Sequence, residues 1–89
     1  MAHSVSAKKR IRQNLKARAR NRWRLRTMRE ALKDLDDKLL HSSYEEARES
    51  YQSVCKILDR TAQKGVIHKN AAARKKSRLA KRVLAKKSA

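Results

Sequence analysis

The sequence has no proline and a single glycine, Gly65, and it contains neither an Asn-Gly nor an Asp-Gly pair. The usual signals for tight β-hairpin turns are therefore missing. Alanine, leucine, lysine and arginine are abundant, and these residues are strong helix formers. Together the absences argue against a β-sheet protein and predict an all-α fold.

Cysteine and long apolar runs are also scarce. The single cysteine, Cys55, excludes an internal disulfide, and its neighbours Val54 and Ile57 favour a small buried side chain over a reactive thiol. No apolar run approaches the ~18 residues of a membrane span, and the N-terminus lacks the apolar stretch of a secretory signal. We therefore expect a mature cytoplasmic protein that has no membrane partner.

Signatures of catalysis and of metal binding are missing as well. His3, His41 and His68 are scattered, and none has a cysteine, a second histidine or a carboxylate at metal-ligand spacing. The sequence has no glycine-rich loop that would hold a phosphate. We predict that the protein is not an enzyme and that it uses no metal and no cofactor.

Acidic residues are absent from both ends of the chain. Residues 1–29 and residues 60–89 each contain eleven Lys or Arg and no acid, whereas all eight acids lie between Glu30 and Asp59. The formal net charge is +18. So much charge of one sign repels itself unless a polyanion is bound. Nucleic acid is the leading candidate, because its phosphates supply most of the non-specific affinity of basic proteins.

The first predicted helix is capped by Ser6, starts near Ala7 and is not interrupted before residues 41–43. Its second half carries a seam of apolar residues spaced three and four apart, which is typical of a helix packed on partners. The seam consists of Leu25, Met28, Leu32, Leu35 and Leu39. In the first half, arginines interrupt this seam, so we expect that half to project from the bundle.

Arginine alternates with other residues from Arg18 to Arg26. A period of two suggests a strand, but alanine and asparagine are poor strand residues, and we favour a helix. On a helix, this alternation spreads positive charge around the whole circumference. Such a segment is weakly stable alone and suits phosphates on several sides.

Two more helices follow. Ser43 and Glu46 form a capping box at the start of the second, and Gly65 is predicted to take a left-handed conformation after its end. The third is predicted to begin between residues 68 and 71 and to run to about Lys86. Its apolar face holds Ala72, Leu79, Ala80, Val83 and Leu84, and its basic face holds Arg74, Lys75, Arg78, Lys81 and Arg82.

The short connections predict helices that run up, down and up. We expect a single domain over residues 1–89: a three-helix bundle over residues 25–87, and a basic nucleic-acid-binding extension of the overlong N-terminal helix over residues 1–24. No homo-oligomer is expected. In the free protein the extension should fray, and it should become ordered on its nucleic-acid partner.

Two local features have more than one reading. Trp23 lies among arginines roughly opposite the seam, so it suits stacking on an exposed base or a ribose, packing against the third helix or shielding one end of the bundle. The His68-Lys69-Asn70 turn suits a simple helix cap, with asparagine a frequent capping residue, and also an anion site beside Lys64.

Several segments closely resemble the S-twenty family of bacterial small-subunit ribosomal proteins. They are Ser6 to Arg10, Arg26-Thr27, Asp59-Arg60, Lys64 to Asn70 and Ala72 to Arg74. The resemblance covers nearly the whole chain, and the Lys64 to Arg74 stretch is its most specific part. Trp23 departs from the small or polar residue expected at its position.

The resemblance implies a three-helix bundle that serves as a structural constituent of the small ribosomal subunit. It implies direct binding to small-subunit (16S) ribosomal RNA, mainly its 5′ domain, support of RNA folding during assembly, and other small-subunit proteins nearby. The segments Lys8 to Arg10 and Lys64 to Arg74 are the implied RNA contacts. With the remaining cations, the expected RNA-binding residues are Lys8, Lys9, Arg10, Arg12, Lys16, Arg18, Arg20, Arg22, Arg24, Lys64, His68, Lys69, Asn70, Arg74, Lys75, Arg78, Lys81 and Arg82.

Three other classes fit a basic helical chain. A histone-like protein that compacts DNA would also make mostly phosphate contacts. A membrane-active basic helix is disfavoured by the polar circumference of residues 8–24. A scaffold for acidic proteins would fractionate in cells independently of RNA.

Overall fold

The computed structural model describes residues 5–88 and consists of three α-helices with short connections. Helix α1 spans Val5–His41, α2 spans Tyr44–Gln63 and α3 spans Lys69–Ser88. The predicted all-α fold with an overlong first helix is confirmed. At ~1.5 Å per residue, α1 is roughly 55 Å long, and α2 and α3 are roughly 30 Å each. His3 lies outside the described residues.

The start of α1 differs from the prediction. Ser6 lies inside the helix, which already includes Val5, so Ser6 is not its cap. A serine costs a helix only ~0.5 kcal/mol relative to alanine, and one serine is therefore too weak a signal to set a boundary. The predicted end is confirmed, because the helix stops at His41 and the Ser42 amide donates to the Lys38 carbonyl at 3.0 Å.

Both ends of α2 follow local sequence signals. The Ser43 side chain accepts a hydrogen bond from the Glu46 amide at 3.3 Å, so the predicted N-cap is confirmed. At the other end, Gly65 has a φ of 76°. The Gly65 amide donates to the Ala62 carbonyl and the Val66 amide to the Thr61 carbonyl, which is the Schellman arrangement.

The start of α3 is capped by His68, whereas the sequence pointed to asparagine. The His68 Nδ1 accepts a hydrogen bond from the Asn70 amide at 3.0 Å, and Asn70 itself lies in the first turn. Histidine can cap the helix in this way because its Nδ1 is bonded to Cγ, which is also where the capping oxygen of asparagine is attached. Nδ1 therefore reaches an amide two residues ahead. The helix ends at Ser88, slightly beyond the predicted Lys86.

One apolar core joins the three helices. Its buried members are Met28, Leu35, Val54, Leu58, Ala72 and Leu79, and the rest of the predicted seam packs around them. Leu84 was predicted on the same face of α3 but is 58% exposed. At about 100° per residue, Leu84 lies about 120° from Ala72, at the edge of the face that packs on α2, where it borders a groove with Tyr44 and Tyr51.

Helix α2 packs on both other helices, and α1 and α3 run in the same direction with little contact between them. Their direct links are polar. The Arg82 Nη1 lies 2.7 Å from the Asp36 Oδ1, and the Lys86 Nζ donates to the Leu39 carbonyl at 3.1 Å. The predicted up, down and up order therefore holds.

Polar groups within the bundle are also bonded. Thr61 is buried and donates to the Ile57 carbonyl at 2.7 Å, and the Tyr51 hydroxyl donates to the Lys76 carbonyl at 3.1 Å. Cys55 is half-buried rather than fully buried as expected, because it lies at the edge of the core beside Tyr51. Among the residues described, no buried side-chain nitrogen or oxygen lacks a partner.

Candidate nucleic-acid interface

The basic arm, residues 5–22 of α1, extends beyond the part of the helix that packs on α2. It carries eight cations and no carboxylate, and all eight are exposed. At about 100° per residue they point to every side of the helix, as the sequence predicted. They are Lys8, Lys9, Arg10, Arg12, Lys16, Arg18, Arg20 and Arg22. Arg24, the next expected RNA contact, is half-buried where α1 meets α2.

The cations of the arm form no ion pair, whereas two cations further along α1 do. Along α1 the first ion pair is Arg26 with Glu30, at 3.1 Å, and the next is Lys38 with Asp34, at 3.3 Å. In the described residues no Lys or Arg before Arg26 forms an ion pair. The arm therefore presents uncompensated positive charge, the condition under which a polyanion binds most strongly.

A second basic surface lies along α3. Arg74, Lys75, Arg78 and Lys81 are exposed, and over residues 5–88 none of them forms an ion pair. The apolar residues Ala72, Leu79 and Val83 are buried on the other side of the helix. The predicted amphipathic division of α3 thus exists, and its basic face is turned to solvent.

Arg82 differs from the other four residues expected on this face. Its guanidinium contacts Asp36 on α1 at 2.7 Å, and both side chains remain about half exposed. Lys76 likewise contacts Asp59 on α2 at 2.8 Å, and this hydrogen bond raises the pKa of Lys76. These two cations hold α3 against its neighbours, although the Arg82 fork retains donors for a further acceptor.

A third set of expected contacts surrounds the turn between α2 and α3. Lys64, His68, Lys69 and Asn70 are all exposed there. The His68 ring already occupies the Asn70 amide, so the start of α3 offers an anion one amide fewer than an uncapped helix would. Since its Nδ1 accepts this bond, a neutral His68 carries its proton on the outward Nε2 and can donate there.

Trp23 lines a groove between α1 and the C-terminal end of α2, with a volume of about 230 Å³. The indole is 65% exposed. The groove walls also include Thr27, Ile57 and Thr61. Trp23 therefore faces α2 and not α3, so packing against the third helix is not its role.

Three cations border the same groove: Arg24, Arg60 and Lys64. Arg60 was not among the residues expected to bind RNA, although it follows Asp59 in a segment that carried the family resemblance. The signal that marks it is its spacing of four from Lys64, which puts both side chains on one face of α2. The approach of Trp23 to that face depends on helix packing and is not visible in the sequence.

The basic arm leaves the bundle at the end where the α2–α3 turn lies, because Trp23 on α1 is beside Lys64. Most acids lie on the later part of α1 and near the start of α2, and Asp59, which is adjacent to Arg60, is paired with Lys76. The arm, the turn and the groove thus form one positive end of the molecule. The basic face of α3 runs away from that end along the bundle.

Metal ligands are not assembled in the described part of the chain: across residues 5–88 no three His, Cys, Asp or Glu side chains form a group that could hold a metal ion. None of the helices described is both long enough and apolar enough to cross a membrane.

Comparison with known proteins adds independent information. The family model described as ribosomal protein S20 matches residues 2–84. The chain is 45% identical to the small ribosomal subunit protein bS20 of Syntrophobacter fumaroxidans, over 93% of this chain and 96% of that protein. The small ribosomal subunit protein bS20 of Psychrobacter cryohalolentis is 42% identical, over 93% of this chain and 94% of that protein. The bS20 protein of Acinetobacter baylyi is 46% identical, over 89% of each chain.

Proposed function

Because the chain belongs to the ribosomal protein S20 family, we propose that it is a structural component of the small ribosomal subunit. It binds small-subunit ribosomal RNA directly, mainly in the 5′ domain, and stabilises the folded RNA during assembly. The observation that carries this proposal is the basic arm, whose eight exposed cations surround a helix without one carboxylate. Its place of action is the cytoplasmic ribosome, beside other small-subunit proteins.

The arm acts by lying between RNA segments. Phosphates approaching from different sides repel one another, and a helix charged around its circumference neutralises them together. The planar guanidinium of arginine suits this task, because its donors match a phosphate bidentately. Side chains read the deep major groove of duplex RNA poorly, so the arm recognises backbone and shape.

The face of α3 formed by Arg74, Lys75, Arg78 and Lys81 supplies a second contact. The core that joins α1, α2 and α3 fixes the point from which the arm leaves the bundle, so an arm that becomes helical on RNA lies at a set distance and angle from this face. Free polybasic peptides have no such restraint and would bind any polyanion. The spacing of the two basic surfaces in the bound state is therefore what selects a particular RNA fold over nucleic acid in general.

The separate roles of the arm and the bundle define the proposed domain organisation. Residues 1–89 act as one domain, in which residues 1–24 form the RNA-binding extension and residues 25–87 form the bundle that positions it. Neither a cofactor nor self-association is required, since RNA supplies the compensating charge.

Equilibrium binding to a small-subunit ribosomal RNA fragment tests the proposal, with transfer RNA and duplex DNA as competitors over a salt series. A site with ~6–10 phosphate contacts loses roughly 10³–10⁵ in affinity between ~50 and ~200 mM salt. The expected result is that ribosomal RNA keeps a large advantage at the higher salt. Equal binding of all three nucleic acids throughout the series would instead favour a histone-like, compacting role.

A further inference from the structure

The Trp23 groove has a chemistry that charge neutralisation alone does not require. We propose that it holds one unpaired nucleotide of the bound RNA, with the base stacked on the Trp23 indole and the phosphate held by Arg60 and Lys64. This inference rests on the proposed function and specifies which local RNA structure, an unpaired nucleotide, binds in the groove. The reasons are the exposure of the indole, the size of the groove, its charges and its position.

Trp23 is the largest of the exposed hydrophobic side chains among the described residues. With 65% of its surface open to solvent, the indole contributes little burial to the fold. Its backbone lies within α1, where the Thr27 hydroxyl donates to the Trp23 carbonyl at 3.0 Å. A large aromatic face is thus presented on a helix at the point where that helix meets α2, which is the form of a stacking platform for single-stranded nucleic acid.

The size of the groove selects a small occupant. Its volume of about 230 Å³ lies below the ~300–1,000 Å³ of sites for drug-sized ligands. The groove suits one planar ring system. Ile57 on α2 lines the groove together with the indole, so a ring that enters it meets apolar surface from both helices.

The charges select a nucleotide over an apolar side chain. Arg24, Arg60 and Lys64 border the groove, and within residues 5–88 none of them forms an ion pair. The nearby acids are engaged elsewhere, because Asp59 contacts Lys76 at 2.8 Å and Glu30 contacts Arg26 at 3.1 Å. An apolar side chain would leave these three cations uncompensated, whereas a nucleotide brings a phosphate with its base.

The position of the groove favours an RNA strand that already follows the arm. Trp23 comes directly after Arg22, the last cation of the arm, and lies beside Lys64 at the α2–α3 turn. In a duplex, both faces of each base are covered by stacking, so the indole can only receive a base that is bulged or in a loop. The site therefore reads a break in the RNA helix at the point where the arm enters the bundle.

Substitution at position 23 tests the inference with the full-length chain and a 5′-domain fragment of small-subunit ribosomal RNA. Trp23→Ser should weaken binding about tenfold, or ~1.4 kcal/mol, within the range for one stacked base. The slope of affinity against salt should not change, since no charge is removed. Trp23→Phe should keep most of the affinity, and Leu40→Ser, an equally exposed apolar residue at the far end of α1, should keep all of it.

Trp23 is the only tryptophan, so its fluorescence reports this site alone. A short single-stranded RNA should quench it, and a matched abasic strand with the same phosphates should not. Equal quenching by both strands, or wild-type RNA affinity in Trp23→Ser, would overturn the stacked nucleotide. If Trp23→Ser keeps its RNA affinity but loses another small-subunit protein, the groove is a protein contact and the inference is wrong.

Failure of the proposed function has a different signature from failure of this inference. A wild-type chain that shows no preference for ribosomal RNA over duplex DNA overturns the function, whatever happens at position 23. Wild-type preference together with an unaffected Trp23→Ser variant leaves the function intact and removes only the nucleotide site.

Discussion

The two halves of α1 share one continuous helix but have opposite relations to the rest of the molecule. In the later half, Met28 and Leu35 are buried in the core, whereas in the basic arm Ile11 and Leu15 are exposed although they lie on the backward extension of the same seam. The difference is that guanidinium groups replace apolar side chains at Arg18 and Arg22. Apolar residues alone therefore do not define the bundle, because packing ends where charges interrupt the seam.

The comparison is tested most strongly by hydrogen exchange in the free protein. Amides of residues 8–20 have only local helix energy to protect them, and such helices are marginal in water. We expect them to exchange within about tenfold of the unprotected rate. Amides of Val54 and Leu58 should instead be protected by the free energy of global unfolding, which is ~3–5 kcal/mol for a small bundle. Adding ribosomal RNA should protect residues 8–20. Strong protection without RNA would show that the arm is stable alone.

Two leucines on α1 sharpen the same contrast. Leu35→Ala removes a fully buried side chain and should lower the free energy of unfolding by about 2–5 kcal/mol. Leu15→Ala, the same change in the arm, should stay within about 0.5 kcal/mol of wild type. Urea unfolding followed by circular dichroism measures both. A comparable loss in the two variants would mean that the arm packs against something in the free protein.

Charge can be compared between the same two regions. Replacing Arg18, Arg20 and Arg22 together by glutamine removes three arm cations. Each phosphate contact contributes ~0.9 to the slope of log affinity against log salt concentration. Affinity for ribosomal RNA near ~0.15 M salt should fall about 10²-fold, and the slope should decrease by about 2–3. The matched control replaces Lys33, Arg48 and Lys56, three exposed cations of the acidic middle, by glutamine. Equal losses in both triple variants would show that net charge and not the arm determines affinity.

The contrast also shows which features were accessible from the sequence. The seam from Leu25 to Leu39, the Ser43 cap and the Gly65 turn were predictable because each depends on residues within a few positions of one another. The pairing of Arg82 with Asp36 was not, since it depends on how α3 is rotated against α1. The Trp23 groove joins residues more than thirty positions apart and depends on the same packing.

The basic character of the candidate interface was visible at once, because it follows from where acids are missing. What the sequence did not reveal is which cations are already engaged within the fold. Arg82 and Lys76 are such residues, and Arg74 and Lys75 are not. The positions of acceptors on the neighbouring helices, carboxylates for Arg82 and Lys76 and the Leu39 carbonyl for Lys86, separate a cation that is engaged within the bundle from one that is open to solvent.

The smallest expected effect is the pH dependence of stability that Tyr51 confers on the bundle. The arm contains no tyrosine and has no such dependence. Burial, together with the neighbouring Cys55 and Asp59 side chains, raises the pKa of Tyr51 from 10.0 to about 12. Because the folded-state pKa lies above that of the unfolded chain, this stabilisation is complete below pH 10 and is lost between pH 10 and about pH 12.

Tyr51→Phe tests this dependence in the free protein. At neutral pH the variant should be less stable by about 1 kcal/mol, because the hydrogen bond to the Lys76 carbonyl is lost. That difference should shrink by about 1 kcal/mol as the pH rises from 10 to 12, a value discounted for partial exposure of the ring. Urea unfolding of wild type and variant across this range measures it. A constant gap between Tyr51→Phe and wild type would mean that Tyr51 ionises as easily in the bundle as in the unfolded chain.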